Sequence, residues 1–391
     1  EFNWTAADAV VDRFRSRKHE PVLDLWGGNP LYSEDILRPP SASESAALEA
    51  WQRFVREAVK HFHGRVRYYQ IGKTPNAGAI WGGLDSAKSY AFLLKKSAVI
   101  VRAEAKGAVV VAGGLAGADA AWLARLFAEG TAPYVDVISL RPDARKDIGE
   151  QCDAVLKIVR ERDASDGLWV EAVGVSGSGE DAGTDIVKKL LTAFDHGAGA
   201  AFFALPYPEA GLPSGGEFLA RSHSALSAEM GRVPAAERVA FADAAGAALQ
   251  GITAVSFYDP AKAISLTGYW AAASAVPPTA TMHLLARRPG PPTLYDPVTG
   301  KTTAVTFERE PNGAKGVVPV SASPLLLVFR EAAAGGAEIG DTRESLQVSA
   351  ERGITAEEVI AKYREFEAAQ DARLSRYSSD AMINFHFRIG G

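Results

Sequence analysis

The residues of this chain with chemistry to offer gather at the ends of short apolar runs. Glu171 lies in the run Leu168-Trp169-Val170-Glu171-Ala172-Val173-Gly174, and Glu209 follows the run at 198–205. Lys73, Thr74 and Asn76 follow the run at 66–71, Trp26 ends the run at 21–26 with Asn29 just past it, and Arg141 and Tyr207 stand just past two others. Two carboxyl groups roughly 5 Å apart can act as acid and nucleophile on one bond. Aromatic faces and amides suit sugar rings. Each candidate also has a plainer reading: Glu171 as a strand-end carboxylate paired with a basic residue, Glu209 as a solvated loop carboxylate, and the others as ordinary loop packing.

Other arrangements point to less. His61 and His63 sit at a predicted helix end, where cationic side chains complement the helix dipole, so no metal site is expected there. The Gly-x-Ser-x-Gly runs around Ser176 and Ser178 have no assignable histidine partner. Gly174, Gly177 and Gly179 lack the Lys-Ser/Thr ending of a phosphate loop and read as a mobile rim loop over 174–183. No cofactor is implied. The single Cys152 excludes an intrachain disulfide framework and a cysteine-rich metal site.

The elements that position these residues follow from pattern. From about 20 to 207, apolar runs alternate with amphipathic segments: strands at 21–26, 66–71, 108–114, 135–140, 168–173 and 198–205, helices at 41–62, 85–105, 119–129, 147–162 and 186–196. Leu48, Trp51, Val55, Ala58, Val59 and Phe62 share one helix face, Ser41 and Glu44 have capping-box spacing, and Gly64 suits the C-terminal stop. Strands alternating with helices imply a parallel sheet covered by helices. Periodicity alone leaves both a barrel and an open doubly wound sheet possible. Residues 216–250 read as mostly helical. Beyond them come short strand candidates at 252–258, 281–286, 292–295, 304–307 and 324–329, with a turn at Asp296-Pro297-Val298-Thr299-Gly300, which together read as a small β-sandwich. Residues 331–352 read as a linker and 355–375 as a helix. Residues 381–389 alternate as a half-buried strand whose partners are expected outside this sequence.

The chain has 391 residues, 47% hydrophobic and 23% charged, with a formal net charge of −5. That balance fits a globular protein and gives no basic footprint for nucleic acid. No apolar run is long enough to predict a transmembrane segment.

Several of these stretches carry a family resemblance. Arg67-Tyr68-Tyr69-Gln70-Ile71-Gly72-Lys73-Thr74-Pro75-Asn76 resembles the acid/base strand of the clan A glycoside hydrolases, which reads near Tyr-Glu-Ile-Trp-Asn-Glu-Pro-Asn. Ile71, Pro75 and Asn76 keep its frame, while Lys73 and Thr74 replace the Asn and the catalytic Glu. Residues 89–96 and 109–115 are similar to the helix and fifth strand of the β-xylosidase/α-iduronidase family. Residues 134–142 are similar to its sixth strand, with Arg141 in a His place and Asp143 in a Tyr place. Residues 168–174 are similar to the seventh strand, near Leu-Trp-Val-Thr-Glu-Phe-Gly. Alignment on Gly174 puts Ala172 at the nucleophile place and Glu171 one residue early. Since alternate strand residues face opposite ways, that offset turns Glu171 toward the helices unless it sits at the mouth or the register shifts. If it faces the pocket, Lys73 is a plausible ion-pair partner. Thr74 cannot act as a carboxylic acid does, and an ammonium, with its ordinary pKa near 10, would need strong burial to serve.

The resemblance, over about residues 5–330, implies an α/β fold: a (β/α)8 barrel of TIM type over 1–250, a β-sandwich over 251–330, a linker over 331–352, and over 353–391 a helix and strand that open a third domain. Two strand–helix units would precede residue 1. The last segment weakly resembles the start of an outer-membrane lipoprotein-carrier-like domain. The function implied is a glycoside-hydrolase-like barrel that binds carbohydrate through Trp26, Asn29, Lys73, Thr74, Asn76, Arg141 and Tyr207. Retaining hydrolysis is not expected, because Thr74 and Ala172 occupy the catalytic places. The alternatives are an active glycosidase using relocated carboxylates such as Glu171, and a structural module of a larger envelope protein. The family suggests a periplasmic or secreted location.

Overall fold

The computed structural model describes residues 2–16, 20–29, 31–32, 39–81, 86–162, 167–174, 179–203, 233–234, 239–259, 264–272, 277–284, 292–310, 313–330 and 386–388. The chain divides into two units, Glu1–His223 with Met382–Gly391, and Ser224–Ala381.

The first unit is built on parallel strands β1 (Val22–Leu25), β2 (Tyr68–Ile71), β3 (Val109–Ala116), β4 (Val137–Arg141), β5 (Gly167–Val173) and β6 (Ala198–Phe203). They lie side by side in chain order. An open doubly wound sheet reverses its strand order at a switch point, and these six strands do not. Among the described residues, its helices are α1 (Thr5–Ser16), α2 (Ser45–Phe62), α3 (Gly78–Trp81), α4 (Ser86–Glu104), α5 (Ala120–Ala128), α6 (Ile148–Glu161) and α7 (Gly179–Asp195). The sheet is strongly curled. Tyr68 and Trp169 stand on strands three places apart, a span of about 14 Å in a flat sheet, yet their ring centroids are 5.1 Å apart. Phe202 extends the group, 5.5 Å from Trp169. These rings mark the concave face. By strand parity and register, Asp24, Gln70, Val111, Val137, Ser139 and Glu171 share it. The opposite face, with Leu23, Leu25, Tyr69, Ile71, Val110, Ile138, Leu140 and Val170, is fully apolar apart from one phenol and is buried under the helices.

Local chemistry sets the helix ends. Asp119 and Asp147 cap α5 and α6, accepting from the Trp122 and Glu150 amides at 2.9 Å each. The expected start of α2 at Ser41 is corrected: the helix begins at Ser45, because Glu44 turns back onto the Ser41 amide (2.8 Å) and the Ser41 hydroxyl meets Ser43 Oγ (3.0 Å). α7 begins seven residues earlier than the apolar period suggests. Residues 179–183 are therefore helix rather than rim loop, and Glu180 and Asp181 in the first turn favour that start. The buried indoles of Trp51 and Trp122 donate to Ser97 and Ser86 (2.9 and 2.8 Å), which removes the cost of burying them.

β17 (His386–Arg388) lies parallel to β1, with Val22 opposite His386. The expectation that this strand finds no partner in the sequence is thereby corrected.

The second unit holds two antiparallel sheets. The intervening strands are β7 (Val233–Pro234), β8 (Val239–Ala242), β9 (Ile252–Asp259), β10 (Ile264–Ala271), β11 (Thr279–Leu284), β12 (Pro292–Tyr295), β13 (Thr302–Ala304), β14 (Phe307–Glu310), β15 (Gly313–Pro319) and β16 (Leu325–Arg330). One sheet runs β13-β12-β16-β10-β9-β7 and the other β14-β15-β11-β8. Phe241, Met282, Leu284 and Val318 from one sheet and Tyr269, Leu294, Leu327 and Phe329 from the other form a single apolar core. The helical reading of 216–250 is corrected where the structure describes it: 233–234 and 239–242 are strands. The Asp296 turn joins β12 to β13, its Oδ1 accepting from the Val298 and Thr299 amides. The linker and helix expected over 331–375 lie outside the described residues.

Candidate functional site

Side chains with chemistry collect where the six parallel strands end. Trp26 follows β1, Lys73 and Thr74 follow β2, Arg141 closes β4, and Glu171 stands two residues before the end of β5. Glu171 does not point at the helices. It shares the concave face with Trp169, is fully buried, and pairs with Arg141, whose Nε stands 3.1 Å from its Oε1. Gln70 Nε2 donates to its Oε2 at 3.3 Å. Strand parity grouped Trp169 with Glu171, and of the two orientations left open for Glu171 the structure has the inward one. Arg141 is an ion-pair partner of Glu171, and Lys73, whose charge acts on Asp24, lies 5.3 Å from the centre of the Trp26 ring.

Asp24 is the carboxyl that sequence reasoning passed over. Burial, then the charge of Glu171, hold its carboxyl well above the usual carboxylate range, while Lys73, Arg141 and a hydrogen bond from Gln70 oppose that shift. The signal was present in the sequence: one acid interrupts Val22-Leu23-Asp24-Leu25, as one amide interrupts Tyr68-Tyr69-Gln70-Ile71.

A bulge in β3 makes room for this cluster. The register to β4 shifts between Ala112 and Leu115. A Cβ on Gly114 would fall 1.3 Å from Glu171 Oε1 and 3.0 Å from Arg141 Cγ. A Cβ on Gly113 would fall 2.3 Å from the Gly72 carbonyl oxygen. Only glycine allows both approaches. The Tyr90 hydroxyl of α4 enters here as well, accepting from the Gly113 amide (2.7 Å) and donating to the Ile71 carbonyl (2.8 Å).

The loops above the strand ends are held by amide side chains. Asn76 accepts from the Ala116 amide (2.8 Å) and donates to the Ala116 carbonyl (3.0 Å). Both ends of its amide are thus spent on the backbone rather than turned to a ligand. Gln151 does the same at Asp143, accepting from its amide (2.8 Å) and donating to its carbonyl (3.1 Å). Trp81 Nε1 donates to the Lys73 carbonyl at 3.0 Å. Within this clamped loop Thr74 has φ +43°, left-handed backbone that costs a β-branched residue of the order of 1–3 kcal/mol. Lys189 of α7 donates to the Gly174 carbonyl at 2.7 Å, fixing the end of β5.

An open cleft of about 570 Å³ lies between the ends of β3 and β4, lined by Ala116, Gly117, Ala118, Asp119, Arg141, Pro142, Asp143 and Lys146. Asp119 is spent as a helix cap. The Arg145 amide and side chain hold the Asp143 carboxyl below its ordinary value. Arg141 therefore faces two ways, toward the cleft and toward Glu171.

The other candidates lie as follows. Asn29 is exposed, its Oδ1 accepting from the Leu31 amide. Tyr207 and Glu209 fall outside the described residues, as does the side chain of Ala172. His61 pairs with Asp8 (2.8 Å) and stacks on Trp4, pinning α1 to α2. Among the described residues no cluster of metal-ligating side chains occurs.

No protein-family model matches this sequence, and no curated protein does. Solved structures do match. A family 39 glycoside hydrolase from the gut symbiont Bacteroides cellulosilyticus WH2 superposes with a TM-score of 0.58 at 16% identity, over 82% of this chain and 70% of that one. A glucosidase from Croceicoccus marinus gives 0.57 at 12%, over 85% and 83%. A monomeric β-xylosidase from Caulobacter crescentus CB15 gives 0.54 at 14%, over 85% of each chain. The chain has the fold of these clan A glycoside hydrolases: a curled parallel sheet with helices, and further antiparallel sheets.

Proposed function

We propose that this chain is a glycoside-hydrolase-like barrel that binds carbohydrate at the C-terminal ends of its parallel strands, without retaining hydrolysis. The observation that carries this reading is the Arg141–Glu171 ion pair, 3.1 Å long with Glu171 fully buried. A retaining glycosidase needs a carboxylate free to meet the anomeric carbon and a second carboxyl that delivers a proton. Here the carboxylate meets a guanidinium instead, and the acid/base place holds Thr74. What is left at the mouth suits binding: the Trp26 face, the Lys73 ammonium, the Thr74 hydroxyl and the cleft beside Arg141.

The finer parts of the reading belong with it. The curled sheet is read as part of an eight-unit barrel and the two antiparallel sheets as a β-sandwich appended to it. The site of action is read as extracytoplasmic; among the described residues, no helix is long and apolar enough to cross a membrane.

The test is a paired measurement on the purified chain: a glycan-binding screen, and hydrolysis of aryl β-xylosides, β-glucosides and α-L-arabinofuranosides. Binding that weakens in Trp26→Ala, with no turnover above buffer, is expected. Turnover that disappears in Glu171→Gln would overthrow the non-hydrolytic reading, and a blank screen would remove the carbohydrate.

A further inference from the structure

β1 has a strand on each flank. On one side β2 pairs with all four of its residues, from Val22 with Tyr68 to Leu25 with Ile71. On the other side β17 pairs in parallel over three: Val22 with His386, Leu23 with Phe387 and Asp24 with Arg388. β17 ends the sheet, so among the described residues its far edge carries no strand. In the sequence it follows the described strands of the second unit, yet residues 382–391 belong to the first. A three-residue strand bonded along one edge is the least secured part of a sheet, and it opens at a free energy well below that of global unfolding. When it leaves, β1 becomes the edge. β1 is the strand that delivers Trp26 to the mouth. There the Leu25 carbonyl accepts from the Gly72 amide at 2.8 Å, and the Lys73 ammonium lies 5.3 Å from the Trp26 ring centre.

We propose that the free edge of β1 is a strand-acceptor site, that β17 docks on it reversibly as a strap, and that docking fixes the end of β1 and the position of Trp26. Backbone hydrogen bonds supply the affinity in such strand additions. The occupant is the chain's own strand. Carried on the same molecule, it is held at an effective concentration that a second copy at micromolar levels does not reach.

The strap stands apart from any ligand, but its consequence for binding rests on the carbohydrate-binding reading of the strand ends. A glycan that uses the Trp26 face binds the strapped state better, because the cost of ordering that residue is already met. By linkage the glycan then favours docking of β17 by the same factor.

The experiment uses the full chain in two forms. Val22→Cys/His386→Cys, with the buried Cys152 changed to alanine, joins two residues paired in register. Neighbouring strands lie about 4.8 Å apart, within disulfide reach. Mild oxidation should give an intrachain disulfide. A disulfide-linked dimer, or a folded protein that forms no disulfide, overturns the proposal. Closing the bond should also slow hydrogen exchange of the Val22–Leu25 amides below the wild-type rate; no slowing would mean that the strand never detaches, and overturns the strap. Phe387→Pro removes a ladder donor and blocks docking. Exchange at Val22–Leu25 and at Gly72 should then rise at least about tenfold, with Val137–Arg141 unchanged. Equal exchange in Phe387→Pro and wild type overturns the proposal. The same variant should raise the Kd for xylohexaose at least about threefold. A wild type that binds neither xylohexaose nor any screened glycan removes the carbohydrate reading alone, and the disulfide and the exchange rates still decide the strap.

Discussion

The Glu171 carboxylate occupies the space that a side chain on Gly114 would need, with 1.3 Å between Oε1 and the position of an added Cβ. A strand from one side of the curl thus depends on a missing atom on another. Gly114→Ala should push the carboxylate off its seat and break the pair with Arg141, leaving a buried charge without its partner. A loss of about 3 kcal/mol of unfolding free energy is expected, read by urea denaturation. A variant within about 0.5 kcal/mol of the wild type would mean that Glu171 relocates at little cost.

Tyr90→Phe removes one hydroxyl and leaves two buried backbone groups, the Gly113 N–H and the Ile71 carbonyl, without that partner. The expected cost is about 2 kcal/mol, with faster exchange of the Gly113 amide hydrogen. Unchanged exchange at Gly113 would show that the strands close the gap themselves.

Asp24 gives stability a pH dependence of known sign. Its folded-state pKa lies above its unfolded value, so its contribution is fully present below about pH 4, near the unfolded value. That contribution is lost as pH rises through the folded value. Asp24→Asn keeps the shape and cannot ionise. Relative to this variant, the wild type should lose stability as pH rises above about 4, by at most one proton's worth of slope. Parallel denaturation profiles for the two proteins would contradict the protonated Asp24.

Thr74 bends the backbone into a region that glycine enters freely. Thr74→Gly should therefore stabilise the first unit by roughly 1 kcal/mol while weakening glycan binding, since the hydroxyl goes with the strain. Lower stability in calorimetry would show that the loop clamps, not the residue, bear the conformation.

Much of the first unit was legible because buried parallel strands write themselves as continuous apolar runs, and amphipathic helices as spaced ones. All six strands and the bodies of α2, α4, α5 and α6 follow from that. β10 was not legible: Ile264-Ser265-Leu266-Thr267-Gly268 mixes hydroxyls into a buried strand, where the Thr267 hydroxyl is satisfied by Ser256 (3.0 Å) across the sheet. β15 hides its apolar residues behind Gly313, Lys315 and Gly316 in the same way. In the site, strand parity grouped Trp169 with Glu171 but could not say which face curls inward. That follows from the contact of Trp169 with Tyr68, about a hundred residues away. Arg141 as the partner of Glu171 and Asp24 as its neighbour are likewise facts of the curled sheet, with no local signature beyond a charge where an apolar residue would be ordinary.

The Tyr90 hydroxyl sits between the Ile71 carbonyl and the Gly113 amide, a gap that backbone pairing would otherwise span, next to the bulge that seats Glu171. A helix on the outside of the sheet thus supplies a rung to a ladder on the inside. The spacing of β2 and β3 at that level is set by the depth of α4, and a small shift of that helix would spread or close the strands under the acid cluster. Residues along the buried face of α4 that set the depth of Tyr90 are therefore the places from which the charge balance at the mouth could be tuned from a distance.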